Sequence, residues 1–214
     1  MKVNEPGLSE DEINARANEK QKKRKEARDR MLATKTIEKG LLMVHTGKGK
    51  GKSTAAFGLA LRAIGNGMRV GIVQFVKGKW STGERVVLEK FTDQVTIRTM
   101  GEGFTWETQD RARDIAAAKA AWTAAQELIE ASRGPKPLYE LLIFDELNIV
   151  LRYDYLDINE VVRALDARPE HLHIVVTGRN AKQELIEAAD LVTEMTEVKH
   201  PFKAGVKAQK GIEF

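Results

Sequence analysis

Cysteine is absent from this chain of 214 residues. Its absence excludes disulfide bonds, thiolate zinc sites, cysteine-held iron–sulfur clusters and a cysteine nucleophile. Long apolar runs are also lacking, because no stretch approaches the ~20 residues that a membrane-spanning helix needs. The first residues, MKVNEPGLSEDE, do not show the basic-then-apolar pattern of a secretory signal. We therefore expect a cytoplasmic protein with no membrane partner.

Excess charge of one sign is confined to one segment. Lys and Arg number 35 and Asp and Glu 31, a net charge of +4. Residues 16–30 alone hold eight basic and three acidic residues, an excess of +5, so the remainder is nearly neutral. This distribution indicates a basic segment rather than a basic surface, and nucleic acid is not an expected partner.

The hydrophobic content, 42% of all residues, is sufficient for one packed domain. The segment from Ser9 to about Thr34, in contrast, is rich in Lys, Glu, Ala and Arg and has few large apolar residues. Such a segment can form a helix but cannot bury itself. We expect a polar helical extension over residues 1–39 and a folded domain over residues 40–214, with a disordered tail as the alternative for the extension.

After Gly40, short apolar runs alternate with helical stretches. Strands are predicted at residues 41–46, 70–76, 95–99, 141–145, 173–177 and, more weakly, 190–195. Helices are predicted at residues 52–64, 84–91, 109–131, 158–165 and 181–188. Strands that are apolar on both faces and alternate with helices indicate a mostly parallel sheet covered on both sides. The predicted fold is a doubly wound α/β domain.

The first predicted strand leads directly into a glycine-rich loop and a helix. The loop reads Gly47-Lys48-Gly49-Lys50-Gly51-Lys52-Ser53-Thr54. This order is typical of the phosphate-binding loop of P-loop NTPases, including RecA-like ones, where backbone N–H groups, the helix N-terminus and Lys52 attract an anion and the Ser53 hydroxyl binds Mg²⁺. Glycine stands at 47 instead of at the generic first position, Thr46. The alternatives are a basic surface loop and, for Thr54, helix packing.

Two acids, Asp145 and Glu146, end the fourth predicted strand. Carboxylates at the carboxyl end of a strand near a phosphate loop hold Mg²⁺ directly or through water. The alternative is that they start a loop or cap the next helix. Together with Ser53 they form the predicted metal site, and the pattern predicts a protein that binds Mg-ATP or a related nucleotide.

Two large aromatic residues, Phe104 and Trp106, follow the third predicted strand in a glycine-containing segment. Taken alone, they could be residues that fill the core. The whole set of motifs, however, resembles the P-loop type of ATP:corrinoid adenosyltransferase family over nearly all of residues 40–214. The matching segments, in order, are VHTGKGKGKSTAAFGLALRAIGNG, VGIVQFVKGKW, GFTWETQD, LLIFDELN, YDYL, ARPEHLHIVVTGR and VKHPFKAGVKAQKGIEF.

The resemblance implies an enzyme of adenosylcobalamin biosynthesis. In that reaction cobalt(I) of a reduced corrinoid attacks C5′ of ATP, a cobalt–carbon bond forms and tripolyphosphate leaves. Residues 47–53 would bind the triphosphate in a sense reversed from ordinary P-loop enzymes, and Lys52 would stabilise the leaving group. Ser53 and Glu146 would bind Mg²⁺ or Mn²⁺, supported by Asp145. Arg62 would lie near the ribose or the phosphates.

The resemblance also assigns the aromatic pair and the partners. Phe104 and Trp106 match residues that pack beneath the corrin in the family, where they displace the lower axial ligand and make four-coordinate cobalt(II) easier to reduce. An external electron donor, such as a reduced flavoprotein, would supply the electron. The family further implies a homodimer in which the partner's polar amino-terminal helix can cover the active site.

Four positions depart from the family pattern: Lys48 stands where Asn is common, Ser53 where Thr is common, and Asn148-Ile149 where Thr-Tyr is common. Serine keeps the hydroxyl, whereas Lys48 adds charge beside the nucleotide.

Two competing functions remain. A RecA-like nucleic-acid-stimulated NTPase would use the loop, the acids and the basic segment. A corrinoid carrier would bind cobalt, but the chain lacks a D-x-H-x-x-G segment. The sequence does not indicate which corrinoid is adenosylated, whether cobyrinic acid a,c-diamide, cobinamide or cobalamin.

Overall fold

The computed structural model describes residues 9–76, 83–100 and 110–213. The chain divides into two compact units, Met1–Glu38 and Lys39–Phe214. In the first unit a single long helix, α1 (Glu10–Ala33), has no buried residue. The Ser9 hydroxyl accepts a hydrogen bond from the Glu12 N–H at 3.3 Å, and the Glu12 carboxylate accepts one from the Ser9 N–H at 2.9 Å. This capping box starts the helix at the predicted position.

The described part of the second unit contains an all-parallel sheet of six strands in the order β3-β2-β4-β5-β1-β6. The strands are β1 (Leu42–Thr46), β2 (Val70–Gln74), β3 (Val95–Thr99), β4 (Leu141–Asp145), β5 (His173–Thr177) and β6 (Leu191–Glu194). The helices are α2 (Lys52–Gly65), α3 (Gly83–Leu88), α4 (Arg111–Ala131), α5 (Leu147–Arg152), α6 (Ile158–Asp166) and α7 (Gln183–Ala188), and a 3₁₀ helix follows at Pro201–Ala204. The predicted α/β fold with a parallel sheet and a helical amino-terminal extension is confirmed.

Alternate residues of each inner strand point into two different apolar layers. Leu142 and Phe144 of β4 pack with α4, α5 and α6 on one face of the sheet. Leu141 and Ile143 of the same strand pack with Phe57 and the rest of the α2 layer on the other. The sheet is therefore covered on both sides, which is why its inner strands are apolar on both faces. No helix in the described ranges is long and apolar enough to cross a bilayer.

The sheet order places the functional elements along one edge. All the strands are parallel, so the loop after β1 and the acids after β4 lie at the same carboxyl edge. β5 lies between β1 and β4 in the sheet. The end of β5, at Thr177 and Gly178, consequently separates the glycine-rich loop from the acids.

Candidate functional site

The glycine-rich loop has the backbone shape of an anion cradle. Gly47 and Gly51 have φ angles of 96° and 105°, in the region that favours glycine. A Cβ atom on Gly47 would lie 2.4 Å from the carbonyl oxygen of Met195, so position 47 has room only for glycine. Gly51 is the N-cap of α2 and provides no side-chain hydrogen bond to it. The first N–H groups of α2 therefore have no side-chain cap at the end where the helix dipole attracts an anion.

Lys52 lies at the base of this loop. Its side chain is buried, and its Nζ donates a hydrogen bond to the Gly49 carbonyl oxygen at 2.5 Å. The pKa of the Lys52 ammonium is lowered, chiefly because the side chain is buried. The Arg179 guanidinium also lowers this pKa, and the Glu146 carboxylate acts in the opposite direction. A phosphate bound nearby would favour the charged form of this ammonium. Lys52 is thus placed to hold an anion in the loop.

Asp145, the first of the two acids, is fully buried. The Thr177 hydroxyl donates to its Oδ1 at 2.8 Å and also accepts the Glu146 N–H at 2.9 Å. The Gln74 amide lies 3.5 Å from its other carboxylate oxygen. Side chains of β5 and β2 therefore fix the orientation of Asp145 below the surface.

Glu146, the second acid, is the N-cap residue of α5 and has a left-handed backbone conformation with φ 65°. Gly178, after β5, has φ 127°, and a Cβ atom there would lie 3.1 Å from Glu146 Oε2 and 2.8 Å from the Asn148 Cβ. The Glu146 carboxylate acts to raise the pKa of Lys52, so the acid and the loop lysine interact electrostatically. Gly178 thus sets how closely the carboxylate approaches the end of β5.

Asn148 is a site residue that the sequence indicated only as a departure from the family pattern. It is fully buried, and its Nδ2 donates to the Gly178 carbonyl oxygen at 3.1 Å. Its Oδ1 has no hydrogen-bond partner among the described residues. A buried acceptor without a donor, beside two carboxylates, suits a hydrated cation.

The donor chemistry near these acids matches Mg²⁺. The oxygen-bearing side chains are those of Asp145, Glu146 and Asn148 at the end of β4, and the predicted ligand Ser53 at the start of α2. Among the described residues there is no group of three or more His, Cys, Asp or Glu that could hold a metal ion alone. Mg²⁺ takes oxygen ligands, keeps several waters and is usually completed by phosphates of a substrate. The residues present fit a cation that binds together with a nucleotide.

A series of hydrogen-bonded polar side chains extends from Asp145 on β4 across β2 to β3, the outermost strand. Thr99 donates to Gln74 Oε1 at 3.1 Å, and Arg85 donates to the Thr99 hydroxyl at 3.0 Å. Sequence reasoning missed Gln74, Thr99 and Thr177, although each is the last residue of its strand. Gln74 was hidden because the predicted strand extended to residue 76. A polar residue at that position of a parallel strand is the signal that could have found them.

The remaining predicted site residues differ in their exposure and in their distance from the loop. In the loop, Lys48 and Lys50 are exposed, Ser53 is partly buried, and Thr54 is exposed, so helix packing is not its role. Arg62 lies in the last turn of α2, about 15 Å along the helix axis from Lys52. Within this chain the structure does not bring Arg62 to the loop. Phe104 and Trp106 lie outside the described residues.

A cavity of about 540 Å³ adjoins the loop, between the segments that follow β5 and β6. Its wall includes Thr46, Gly47 and Lys48 from β1 and the loop, Asn180 after β5, and Glu194 and Lys203 beyond. The acids lie on the opposite, β4 side of the loop.

Family membership is decided by comparison with known proteins. A family model described as ATP:corrinoid adenosyltransferase BtuR/CobO/CobP matches residues 38–214. The chain belongs to this family. The match includes the loop, both acids and the carboxyl-terminal segment, so the residues described above lie in the part that defines an ATP:corrinoid adenosyltransferase.

Curated relatives agree over nearly the whole length. A corrinoid adenosyltransferase of Sinorhizobium sp. is 57% identical over 91% of this chain and 90% of its own length. One of Pseudomonas aeruginosa is 51% identical over 95% and 98%, respectively, and one of Salmonella typhimurium is 45% identical over 93% and 98%. Among solved structures, the flagellar accessory protein FlaH of Methanocaldococcus jannaschii has a TM-score of 0.46 at 11% identity, covering 75% of this chain and 73% of that one, a likeness too weak to bear on function.

Proposed function

We propose that the chain transfers the 5′-deoxyadenosyl group of ATP to the cobalt of a reduced corrinoid, as a step of adenosylcobalamin biosynthesis. The observation that carries the proposal is the glycine loop with buried Lys52, at the carboxyl edge of the sheet where β4 ends in the two acids, in a chain of the corrinoid adenosyltransferase family. The cobalt(I) electron pair forms the bond to C5′, the C5′–O bond breaks, and its electrons leave on tripolyphosphate. Cobalt is formally oxidised from I to III.

The loop would stabilise the departing tripolyphosphate. Residues 47–53 supply backbone N–H groups, the positive end of α2 and the Lys52 ammonium at one place. Fixed donors of this kind act where negative charge increases in the transition state. The reaction needs no positioned water, in contrast to ATP hydrolysis. Lys48, Lys50 and Thr54 would contact the outer part of the nucleotide, and Arg62 remains a proposed contact that the fold within one chain does not supply.

The carboxylates would serve a divalent cation. Ser53 and Glu146 would bind Mg²⁺ or Mn²⁺, and Asp145, held by Thr177, would support them. When bound, the cation would neutralise phosphate charge. Asn148 would accept a hydrogen bond from its water, which gives the buried Oδ1 a partner.

Phe104 and Trp106 are proposed as the apolar surface beneath the corrin, on the strength of the family resemblance. Trp106→Ala should then retain ATP binding and lose adenosylation when the reaction starts from cobalt(II). Chemically prepared cobalt(I) should largely restore the rate. Equal loss from both starting states would contradict a role in reduction.

The proposed partners follow from the same reaction. Cobalt(II) must gain one electron, so a one-electron donor such as a reduced flavoprotein is required. We also propose a homodimer in which α1 of one copy covers the active site of the other. Light scattering with and without residues 1–38 would test the dimer and the contribution of α1 to it.

The decisive experiment is anaerobic incubation of the full chain with ATP, Mg²⁺ and a chemically reduced corrinoid. We expect the cobalt(I) absorbance to disappear and a light-sensitive product to form, with tripolyphosphate released. Orthophosphate release that DNA or RNA stimulates would identify a RecA-like NTPase instead. Failure to form a light-sensitive product from any of the three candidate corrinoids would overturn the proposal.

A further inference from the structure

The outer side of the glycine loop is held by the chain that follows β6. The Gly49 N–H donates to the Met195 carbonyl oxygen at 2.7 Å. A Cβ atom on Gly49 would lie 2.7 Å from the Thr196 carbonyl oxygen, so this segment touches the loop closely. One backbone donor of the loop is therefore already used by the protein. Because this N–H group is not available to a bound anion, more of the anion-binding free energy must come from the lysine side chains.

The chain then returns to the loop at its carboxyl-terminal end. The 3₁₀ helix at Pro201–Ala204 is tied back by an ion pair between Lys203 and Glu197. A final turn follows, in which the N–H groups of Ile212 and Glu213 both donate to the Gln209 carbonyl oxygen, at 3.2 and 2.8 Å. This turn places the Glu213 carboxylate against the Lys50 ammonium as an ion pair.

The Lys50–Glu213 pair lies on the loop that we propose binds the phosphate chain. The loop carries three lysines, of which Lys52 is buried on the Gly49 carbonyl and Lys48 is exposed beside the cavity. The Lys50 side chain is half exposed, whereas that of Glu213 is 16% exposed. The tail carboxylate is thus the better-held partner, and the lysine is the one free to reorient.

We infer that Glu213 is a positioning residue that competes with phosphate for Lys50 and so weakens the loop's hold on polyanions. The inference rests on the proposed function, because it concerns the release of tripolyphosphate from the same loop. An anion entering the loop must either replace Glu213 on Lys50 or accept a like charge beside it. Either event makes binding of the anion less favourable. The Glu213 carboxylate therefore favours release of the highly charged tripolyphosphate.

Titration calorimetry of the full chain with magnesium tripolyphosphate tests the inference. Glu213→Gln keeps the shape and removes the charge, and it should tighten binding about two- to fivefold at low salt, the range of an exposed ion pair. The gain should shrink at high salt because exposed charges are screened. Glu130→Gln, on the exposed face of α4 and paired with Arg133, is the matched control and should change nothing.

The double substitution separates competition from a general charge effect. Lys50→Gln should weaken binding, and adding Glu213→Gln to it should give no further gain. Unchanged or weaker binding by Glu213→Gln at an unchanged thermal midpoint would overturn the inference, as would an equal gain on the Lys50→Gln background.

The adenosylation assay distinguishes this failure from that of the proposed function. Wild-type chain that forms the light-sensitive product but shows no Glu213 effect retains the function and loses the inference. A Glu213 effect on tripolyphosphate without any light-sensitive product has the opposite meaning. Wild-type chain that binds no polyanion overturns both.

Discussion

On the β4 side of the glycine loop, polar side chains are buried and bonded to one another, whereas on the β6 side they are exposed and form ion pairs. Thr177 joins Asp145 and the Glu146 backbone in the interior. Lys50 and Lys203 instead meet carboxylates of the carboxyl-terminal segment near solvent. Interior hydrogen bonds fix geometry, while exposed pairs exchange partners at small cost. The acid side is therefore suited to positioning, and the tail side to binding and release.

Lys52 lies between the two sides, and its removal should have the largest effect. Lys52→Ala should lower single-turnover adenosylation by about two to three orders of magnitude, the usual result of losing one fixed donor to a developing charge. Rapid mixing of cobalt(I) corrinoid with enzyme and ATP measures the rate. Lys48→Ala, exposed in the same loop, should cost much less. Similar losses for both would mean that total charge, rather than position, matters.

Gly178 tests how tightly the acid side is packed. Gly178→Ala should lower the free energy of unfolding by about 1–3 kcal/mol, because its φ of 127° strains any side chain and the new Cβ would meet Asn148 and Glu146. Thermal and denaturant unfolding measure it. Gly134→Ala is the control, since its φ is also positive, 83°, but nothing lies within 4 Å. An equal cost at both positions would assign the whole effect to backbone strain.

Thr177→Val, which keeps the shape and removes the hydroxyl, tests the interior hydrogen bonds. It leaves Asp145 Oδ1 and the Glu146 N–H without their bridge, so we expect a loss of about 1–2 kcal/mol in unfolding free energy and weaker Mn²⁺ binding by electron paramagnetic resonance. Thr123→Val, at an exposed position of α4 where the hydroxyl donates to the Lys119 carbonyl oxygen, should cost less than about 0.5 kcal/mol. Unaltered metal affinity would remove Thr177 from the site.

Asp190, which lies outside both sides of the loop, should show the smallest effect. A hydrogen bond from Lys39 chiefly lowers the pKa of this carboxyl, and the Leu42 N–H and Arg168 lower it further. A carboxyl with a lowered pKa stabilises the fold above its unfolded pKa, and this contribution is lost as pH falls through the folded pKa. Asp190→Asn should cost about 1 kcal/mol at pH 7 and less in acid, by chemical unfolding at several pH values. A cost that does not change with pH would contradict the charge argument.

The elements that the sequence predicted well are those that repeat a simple pattern. All six strands were predicted within about two residues at each end. The four inner strands are buried on both faces, which leaves little choice of residue, whereas the exposed edge strand β6 gave the weakest pattern. Helix α5 was missed because its sequence, LNIVLR, is mostly apolar and shows no helical period. The phosphate loop and the acids were recognisable since each lies within a few residues of its strand.

Contacts between distant parts of the chain could not be predicted in the same way. Nothing local to Glu213 indicates Lys50 as its neighbour, because the contact depends on the path of the whole segment after β6. Arg62 was placed near the nucleotide by resemblance, and the rise of α2 carries it away from the loop. The metal, the electron donor, the homodimer and the cytoplasmic location stay predictions.

Helix α1 has one further consequence. It is already wound and capped although none of its residues is buried, and its 24 residues span about 36 Å. A segment that is already helical loses little backbone conformational entropy when it binds to another surface. A covering role for such a rod would require few contacts, and those contacts could be made and broken within each catalytic cycle.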